Sequence, residues 1–430
     1  MKFRLLSRTL AATKRAKARL AAHLRLRAFA RHGRRRFQAD SRYNLQSVSE
    51  GFASRVDDRD DDKEILHRIC AAYQKAIEKQ SSSPQRYQST ERWKQIEKQS
   101  LGPVTKALRE GDIQALRSMY RNFYRDPCSA GILGAPNGQP RAYFSGKIKD
   151  IYRHFYLSHV LYRLDYWKSV TCGRYLLRDL EGPGVGNPFG VVLDGTLVSV
   201  GAEYAHYCAK RVEEESAPGP AAIAEIKGGF GAIAYFLLRD RPKTTYVDFD
   251  LPESVALATY YLMKSFPALS FLCYGEKAIT QAAVQEADVV LLPLFELATV
   301  PDGLVNLTFT SFGLAAMTPE HTAQCVEDVG RISREKIFLI GNRITGEAAA
   351  EATKSKLLPF SLGETRESGW HSYKVSGAGV GGAANLADAA VVEQSYIRSR
   401  LPAEQGRGTA DHPARPTAEL DLPSTAGAAR

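Results

Sequence analysis

This chain of 430 residues has no apolar run long enough to cross a membrane. The longest, such as "ADVVLLPLFELATV", fall far short of the roughly 20 residues a spanning helix needs. Its six cysteines (70, 128, 172, 208, 273 and 325) are scattered, with no CxxC pair and no His-Cys cluster. That excludes a spaced structural zinc site, leaves no metal expected, and points to a reducing, cytoplasmic compartment. No secretory signal is expected either, because lysine and arginine interrupt the first residues before any apolar core can form. A transit peptide shares this acid-poor composition. No internal repeat is present.

Acid is also missing from residues 1–39, which hold thirteen of the basic residues. The chain's formal charge is +11, so everything after that leader sums to about −2. The basic character belongs to the leader, not to the fold. Three roles are open to it: a solvated, self-repelling segment, a basic helix on an anionic membrane surface, or an electrostatic contact to nucleic acid. The first ranks ahead of the second and the second ahead of the third, because runs of charge are permissive signals.

Beyond the leader, "DDRDDD" at 57–62 reads as the end of an acidic linker. From Lys63 a helical period sets in, with Leu66, Cys70, Tyr73 and Ile77 on one face. Further helices are expected around Trp93 and Ile96 and after Asp112, a suitable N-cap for the stripe Ile113, Leu116, Tyr120 and Phe123. A Pro/Gly-rich loop at 126–143 precedes a longer helix carrying Ile148, Ile151, Phe155, His159 and Tyr162. Near 181 the texture changes. From 222 onward "AIAEI", "TTYVDFD", "LSFLCYG", "DVVLLPL", "LVNLTFTSF" and "KIFLIGN" alternate with helical stretches, the pattern of a parallel α/β sheet. The expected layout is a disordered leader and linker at 1–61 and a helical domain at 62–180. A Rossmann-like domain at 181–375 and a disordered tail at 376–430 complete it.

The stretch "AEIKGGFGAIAYFLLRDRPKTTYVDFDLPE" at 224–253 is the most informative. It reads as strand, glycine turn, helix and a second strand ending in acids. In open α/β sheets ligands bind beyond the carboxyl ends of the strands, where glycines let the backbone approach closely. Glu225 ends the first strand, and Gly228, Gly229 and Gly231 form the turn. Asp248 and Asp250 end the second strand on one face, positioned to accept hydrogen bonds from ribose hydroxyls. Gly229 through Ala234 also satisfies G-x-G-x-x-A, so a nicotinamide or flavin dinucleotide and an oxidoreductase remain open on this turn alone.

The wider context carries a resemblance. "EIKGGFGAIAYFLL", "YVDFDLPE", "VGNPFG", "DVVLLPLFEL" and "LVNLTFTSFGLAAM", in this order over about residues 140–375, resemble the bacterial sugar O-methyltransferase family of class I S-adenosylmethionine-dependent methyltransferases. The resemblance implies a Rossmann-like sheet that binds S-adenosylmethionine and a hydroxyl acceptor on a glycan, nucleotide-sugar or glycolipid. It assigns the methionine and ribose ends of the cofactor to Glu225, Gly228, Gly229, Gly231 and Asp250, and the adenine to the neighbourhood of Glu276. Two positions depart from the family pattern. Lys227 stands where the first glycine is expected, and Ala316 where glutamate is usual. The first bears on cofactor geometry, the second on substrate chemistry, and together they leave a catalytically weakened binding protein as an alternative.

Several of these residues have structural roles open to them. Asp250-Leu-Pro-Glu253 has the form of a capping box, so Asp250 is equally suited to start the next helix, leaving the ribose to Asp248. His159 and His206 are expected to pack, and His154 to face solvent. His321, in "MTPEHTAQC", falls near the expected site and is the candidate general base, against the ordinary role of a surface-helix histidine.

Overall fold

The computed structural model describes residues 17, 20–21, 23–57, 59, 61–133, 150–315, 317–353, 359–368, 370 and 391–399. Ala316, and the expected tail apart from 391–399, lie outside them.

The leader is ordered from residue 23 onward, contrary to the expectation of disorder through residue 61. Residues 23–36 form helix α1. Its Phe29, Ala30 and Gly33, with Phe37 just beyond, share one stripe that meets a long helix further along the chain, Asp150–Val170. At Gly33 an added Cβ would come within 2.1 Å of Ser158 Oγ, so the two helices touch nearly backbone to side-chain base. Phe29 packs edge-on to Phe155 at 5.3 Å, and Phe37 to Tyr162 at 4.9 Å. Helical spacing of a few apolar residues is enough to dock a strongly basic segment when an aromatic stripe awaits it.

Helix α2 (Leu45–Gly51) follows, and then the acidic run. That run is not a free linker. Asp62 is 1% exposed and accepts from Arg117 Nε at 2.7 Å and from Tyr260 OH at 3.1 Å, while Asp61 pairs with Lys264. These acids fasten the helical half of the chain to the sheet half. The helices between are α3 (Lys63–Gln80), α4 (Glu91–Ile96), α5 (Gly102–Glu110), α6 (Ile113–Tyr120) and α7 (Asp150–Val170). Asp112 caps α6 as its sequence predicts, accepting from Ala115 N at 3.0 Å.

A hairpin of β1 (Gly190–Leu193) and β2 (Thr196–Ser199) leads through α8 (Ala202–Glu215) into the central sheet. Its elements are β3 (Ala221–Ile226), α9 (Ala232–Asp240), β4 (Thr244–Asp250), α10 (Pro252–Ser265), β5 (Phe271–Cys273), α11 (Gln281–Gln285) and β6 (Val289–Pro293). Then come β7 (Val305–Ser311), α12 (Pro319–Ile332), β8 (Ser333–Asn342), α13 (Arg343–Thr353), β9 (Phe360–Ser368) and β10 (Val391–Arg398). The eight strands run in the order β5-β6-β4-β3-β7-β8-β10-β9. All pairs are parallel except those of β10, which is antiparallel to both β8 and β9. The fold is α/β and Rossmann-like.

Two boundaries differ from the sequence expectation. Strand β10 lies inside the region expected to be disordered. It is held by Glu393, 2% exposed, which accepts from Tyr207 OH, Arg211 Nε at 3.1 Å and Arg366 Nε at 2.8 Å. A strand this short, flanked by Ala- and Gly-rich sequence, carries no period of its own and is fixed by its two neighbours. Nor does a domain boundary fall at 180. Leu66, Ile69 and Tyr73 of α3 share one buried cluster with Val255 and Leu257 of α10 and with Tyr246 and Phe309 of the sheet, and residues up to Arg398 form one compact unit.

Candidate functional site at the glycine turn

Strands β3 and β7 are neighbours, and the connection from β3 runs to β4 on one side while that from β7 runs to β8 on the other. A crevice opens outside the strand ends at such a reversal. The glycine turn stands there. Gly229 and Gly231 have φ of 68° and 88°, backbone that glycine adopts without strain. Lys227 shares the left-handed region at φ 60°, so the turn keeps the glycine conformation although its first position has a side chain. Its N–H is tied to Phe249 O at 2.8 Å. Gly228 is needed for space instead: a Cβ would lie 2.9 Å from both Asp248 Oδ1 and Tyr246 OH.

Register gathers the acids. Glu225 on β3 is paired with Asp248 on β4, and Tyr246, Asp248 and Asp250 alternate onto the same face. Tyr246 OH donates to Glu225 Oε2 at 2.6 Å. Asp248 Oδ1 accepts from Gly228 N at 3.3 Å, and Asp250 accepts from Gly229 N at 2.9 Å and Leu251 N at 2.6 Å. Asp248 Oδ2 is buried and has no hydrogen-bond partner among the described residues. The acids therefore hold the turn, and one acceptor is left over.

Asp250 does not form the expected capping box. Leu251 occupies the N-cap of α10 with Pro252 in the first turn, and Asp250 remains in the strand, one oxygen accepting from Gly229 N in the turn and the other from Leu251 N at the head of α10. Glu253, the other end of the motif, is 5% exposed. Its Oε1 accepts from Tyr73 OH at 3.4 Å and its Oε2 has no hydrogen-bond partner among the described residues.

So many carboxyls cannot all be ionised away from water. Burial pushes Glu225 up to about 8, against the stabilising Tyr246 hydroxyl and with the Asp250 charge adding to the rise. Asp248 is raised well above the ordinary carboxyl range by burial first and by Asp250 and Glu225 next. Asp250 rises only to about 6, because the Leu251 N–H, the Lys227 ammonium and the Gly229 N–H favour its charged form. Burial lifts Glu253 to about 7. Lys227 is lowered by burial, and Asp250 opposes that shift. Near neutral pH Asp250 is thus largely ionised, with the Lys227 ammonium favouring that form, while burial favours the protonated form of Glu225 and Asp248. Such a set can receive or donate hydrogen bonds to hydroxyls and can hold a zwitterion.

Glu276 lies apart. Strand β6 is interposed between β5 and β4, and Glu276 is exposed, ion-paired to Arg68 at 2.8 Å and bonded to Cys273 N. His321 sits in the first turn of α12, its N–H accepted by Thr318 Oγ1 at 3.2 Å. One turn later on the same helix face, Cys325 interacts electrostatically with Lys227. Among the described residues no hydrogen bond or ion pair joins the His321 ring to the acids. Of the other histidines, His206 is fully buried and accepts from Trp167 Nε1 at 3.2 Å, and His159 packs against Phe29 and Phe155. His154 does not face open solvent: its ring stacks on Tyr43 and its Nδ1 meets Tyr43 OH at 2.9 Å.

Sequence reasoning overlooked three members of the site. Tyr246 stands two residues before Asp248 and was legible from strand period. Thr310, on β7, accepts from Gly313 N at 3.1 Å and donates to Ile226 O at 2.9 Å, closing the far side of the turn. The carbonyl of Ile132 comes within 3.2 Å of where a Gly229 Cβ would stand, roofing the turn with a segment about a hundred residues away in sequence. No local signal marks it.

No family model and no curated protein matches the chain. Among solved structures it is similar to the magnesium protoporphyrin IX methyltransferase of Synechocystis with bound S-adenosylmethionine, at 12% identity over 56% of this chain and 97% of that one, with a TM-score of 0.32. It is also similar to the geranyl diphosphate C-methyltransferase of Streptomyces coelicolor, at 7% identity over 45% of this chain and 75% of that one, with a TM-score of 0.31. At such identities the likeness assigns neither substrate nor site residues.

Proposed function

We propose that this chain transfers a methyl group from S-adenosylmethionine to a hydroxyl of a sugar on a glycan, nucleotide-sugar or glycolipid precursor. The observation that carries the reading is the buried acid pair of β4 set against the glycine turn of β3, with Asp248 Oδ2 left without a hydrogen-bond partner among the described residues. A bound nucleoside would supply the missing partner through its ribose hydroxyls, which both donate and accept, and Asp250 would share them. The lysine at the turn would face the carboxylate of a methionine moiety. The cofactor, when bound, supplies an electrophilic sulfonium methyl, so the protein's work is to hold the acceptor oxygen in line and keep water out. His321, on the helix face that reaches Lys227, is the residue offered for removing the hydroxyl proton. The sugar as acceptor rests on the sequence motifs from "VGNPFG" to "LVNLTFTSFGLAAM".

Calorimetry on the purified chain with S-adenosylmethionine and, separately, NAD tests the reading. Binding of the first alone supports it. Binding of NAD alone converts the site to that of an oxidoreductase. S-adenosylmethionine binding without methyl transfer to any glycan or glycolipid acceptor identifies a binding protein in place of an enzyme.

A further inference from the structure

One face of α1 is consumed by its packing on α7; the opposite face is exposed and unusual. Leu24, Arg27, Arg31 and Arg35 follow one another at three- and four-residue steps, which places them along a single line on the helix, and Leu20, itself in helical backbone, lies four residues before the first of them. Leu20 and Leu24 are 60% and 56% exposed, among the most exposed large apolar side chains of the described residues. The arginines on this line are exposed, as is Arg25 at its border. None of them makes an ion pair among the described residues, and the helix contains no acid.

We propose that this face seats the protein on an anionic lipid bilayer surface. A lipid boundary accepts both parts of the pattern: headgroup phosphates pair with the arginines while the two leucines enter the acyl margin. A nucleic-acid backbone would satisfy the arginines but leave the leucines in water. A second copy of the chain would bring like charges together. No helix among the described residues is long and apolar enough to cross a membrane, so the contact is peripheral. Because Gly33, Phe29 and Phe37 fix α1 to α7, lipid contact would also fix the orientation of the body. The proposal rests on this packing and not on the methyl-transfer reading, and either can fail without the other.

The test is sedimentation of the full chain with vesicles of phosphatidylcholine alone or mixed with phosphatidylserine, at low and high salt. The expected result is binding to the anionic vesicles only, weakened by salt. The double variant Arg31→Glu, Arg35→Glu should reduce partitioning at least about tenfold, since each basic residue near such a surface contributes several-fold. Leu24→Ser should weaken it while leaving the salt dependence intact. All three positions are exposed, so thermal melts should match the parent and exclude misfolding as the cause. Equal sedimentation with both vesicle types, or variants that bind like the parent, would overturn the proposal. So would binding to an RNA or DNA oligonucleotide that outcompetes the anionic vesicles.

Discussion

Lys227 offers the sharpest perturbation. Its φ of 60° costs a non-glycine residue about 1–2 kcal/mol. Replacing it with glycine releases that strain but loosens the unfolded chain by roughly 0.5–1 kcal/mol. On backbone grounds alone, Lys227→Gly should stabilise by up to about 1.5 kcal/mol. Lys227→Met keeps the strain and removes the charge, so the two variants separate the terms. The charge term has a pH signature. The ammonium favours the ionised form of Asp250, which stands at about 6 in its presence. Without it, the Asp250 pKa moves higher still. A folded-state carboxyl above its unfolded value makes stability fall as pH rises between the two. Losing the lysine therefore extends that fall upward. The cost of Lys227→Met should be small at pH 5, where Asp250 is protonated, and larger at pH 8, by about 1.4 kcal/mol for each unit by which the Asp250 pKa rises without the ammonium. Urea denaturation of the parent and both variants at the two pH values measures this. If Lys227→Met costs the same at pH 5 and pH 8, the lysine is not paired with Asp250. If the glycine variant is no more stable than the methionine variant, the strain argument is wrong. Calorimetry adds the functional arm: a lysine that holds the methionine carboxylate requires Lys227→Gly to weaken S-adenosylmethionine binding. Tighter binding by that variant would mean that the lysine only obstructs the turn.

Three other outcomes are expected. Glu225→Gln keeps the acceptor for Tyr246 OH and mimics a carboxyl that titrates at about 8, so it should be near neutral at pH 4, where Glu225 is protonated both folded and unfolded, and increasingly more stable than the parent as pH rises toward 8 by thermal melting; greater stability of the parent at pH 8 would refute protonation of Glu225. Asp248→Asn keeps an acceptor for Gly228 N and removes a carboxyl that burial holds well above its ordinary range, so it should not destabilise the fold at neutral pH, yet should weaken cofactor binding. Asp250→Asn sets an amide donor against one of two N–H groups and should cost about 1–3 kcal/mol in urea unfolding; a reversed order would exchange the two roles. Starting the chain at residue 60 strips Phe37, Val48 and Ala30 from their buried positions on α7 and β1, so that variant should aggregate or melt markedly earlier, whereas starting at residue 20 should leave the melt unchanged.

The glycine turn and its flanking acids were legible because they are local. Strand period two sends Asp248 and Asp250 to one face, and Gly229 and Gly231 announce left-handed backbone. The parallel core was legible for the same reason, since buried strands bounded by helical periods repeat along the chain from Ala222 to Asn342. Tertiary structure decided everything that depends on what a residue meets. Whether Asp250 caps a helix or holds a turn depends on where Gly229 lies, and the chain brings that glycine's N–H to 2.9 Å. Whether Glu276 reaches the site depends on which strand pairs with β4, and β6 takes the place. Composition alone would leave residues 23–36 in water and 391–398 without structure. The first is ordered by the aromatic stripe of α7, the second by Glu393 buried between Tyr207, Arg211 and Arg366. Sequence fixes which side chains share a face of one element. Only folding sets two such faces against each other, and burial at that junction then sets the charge each acid carries.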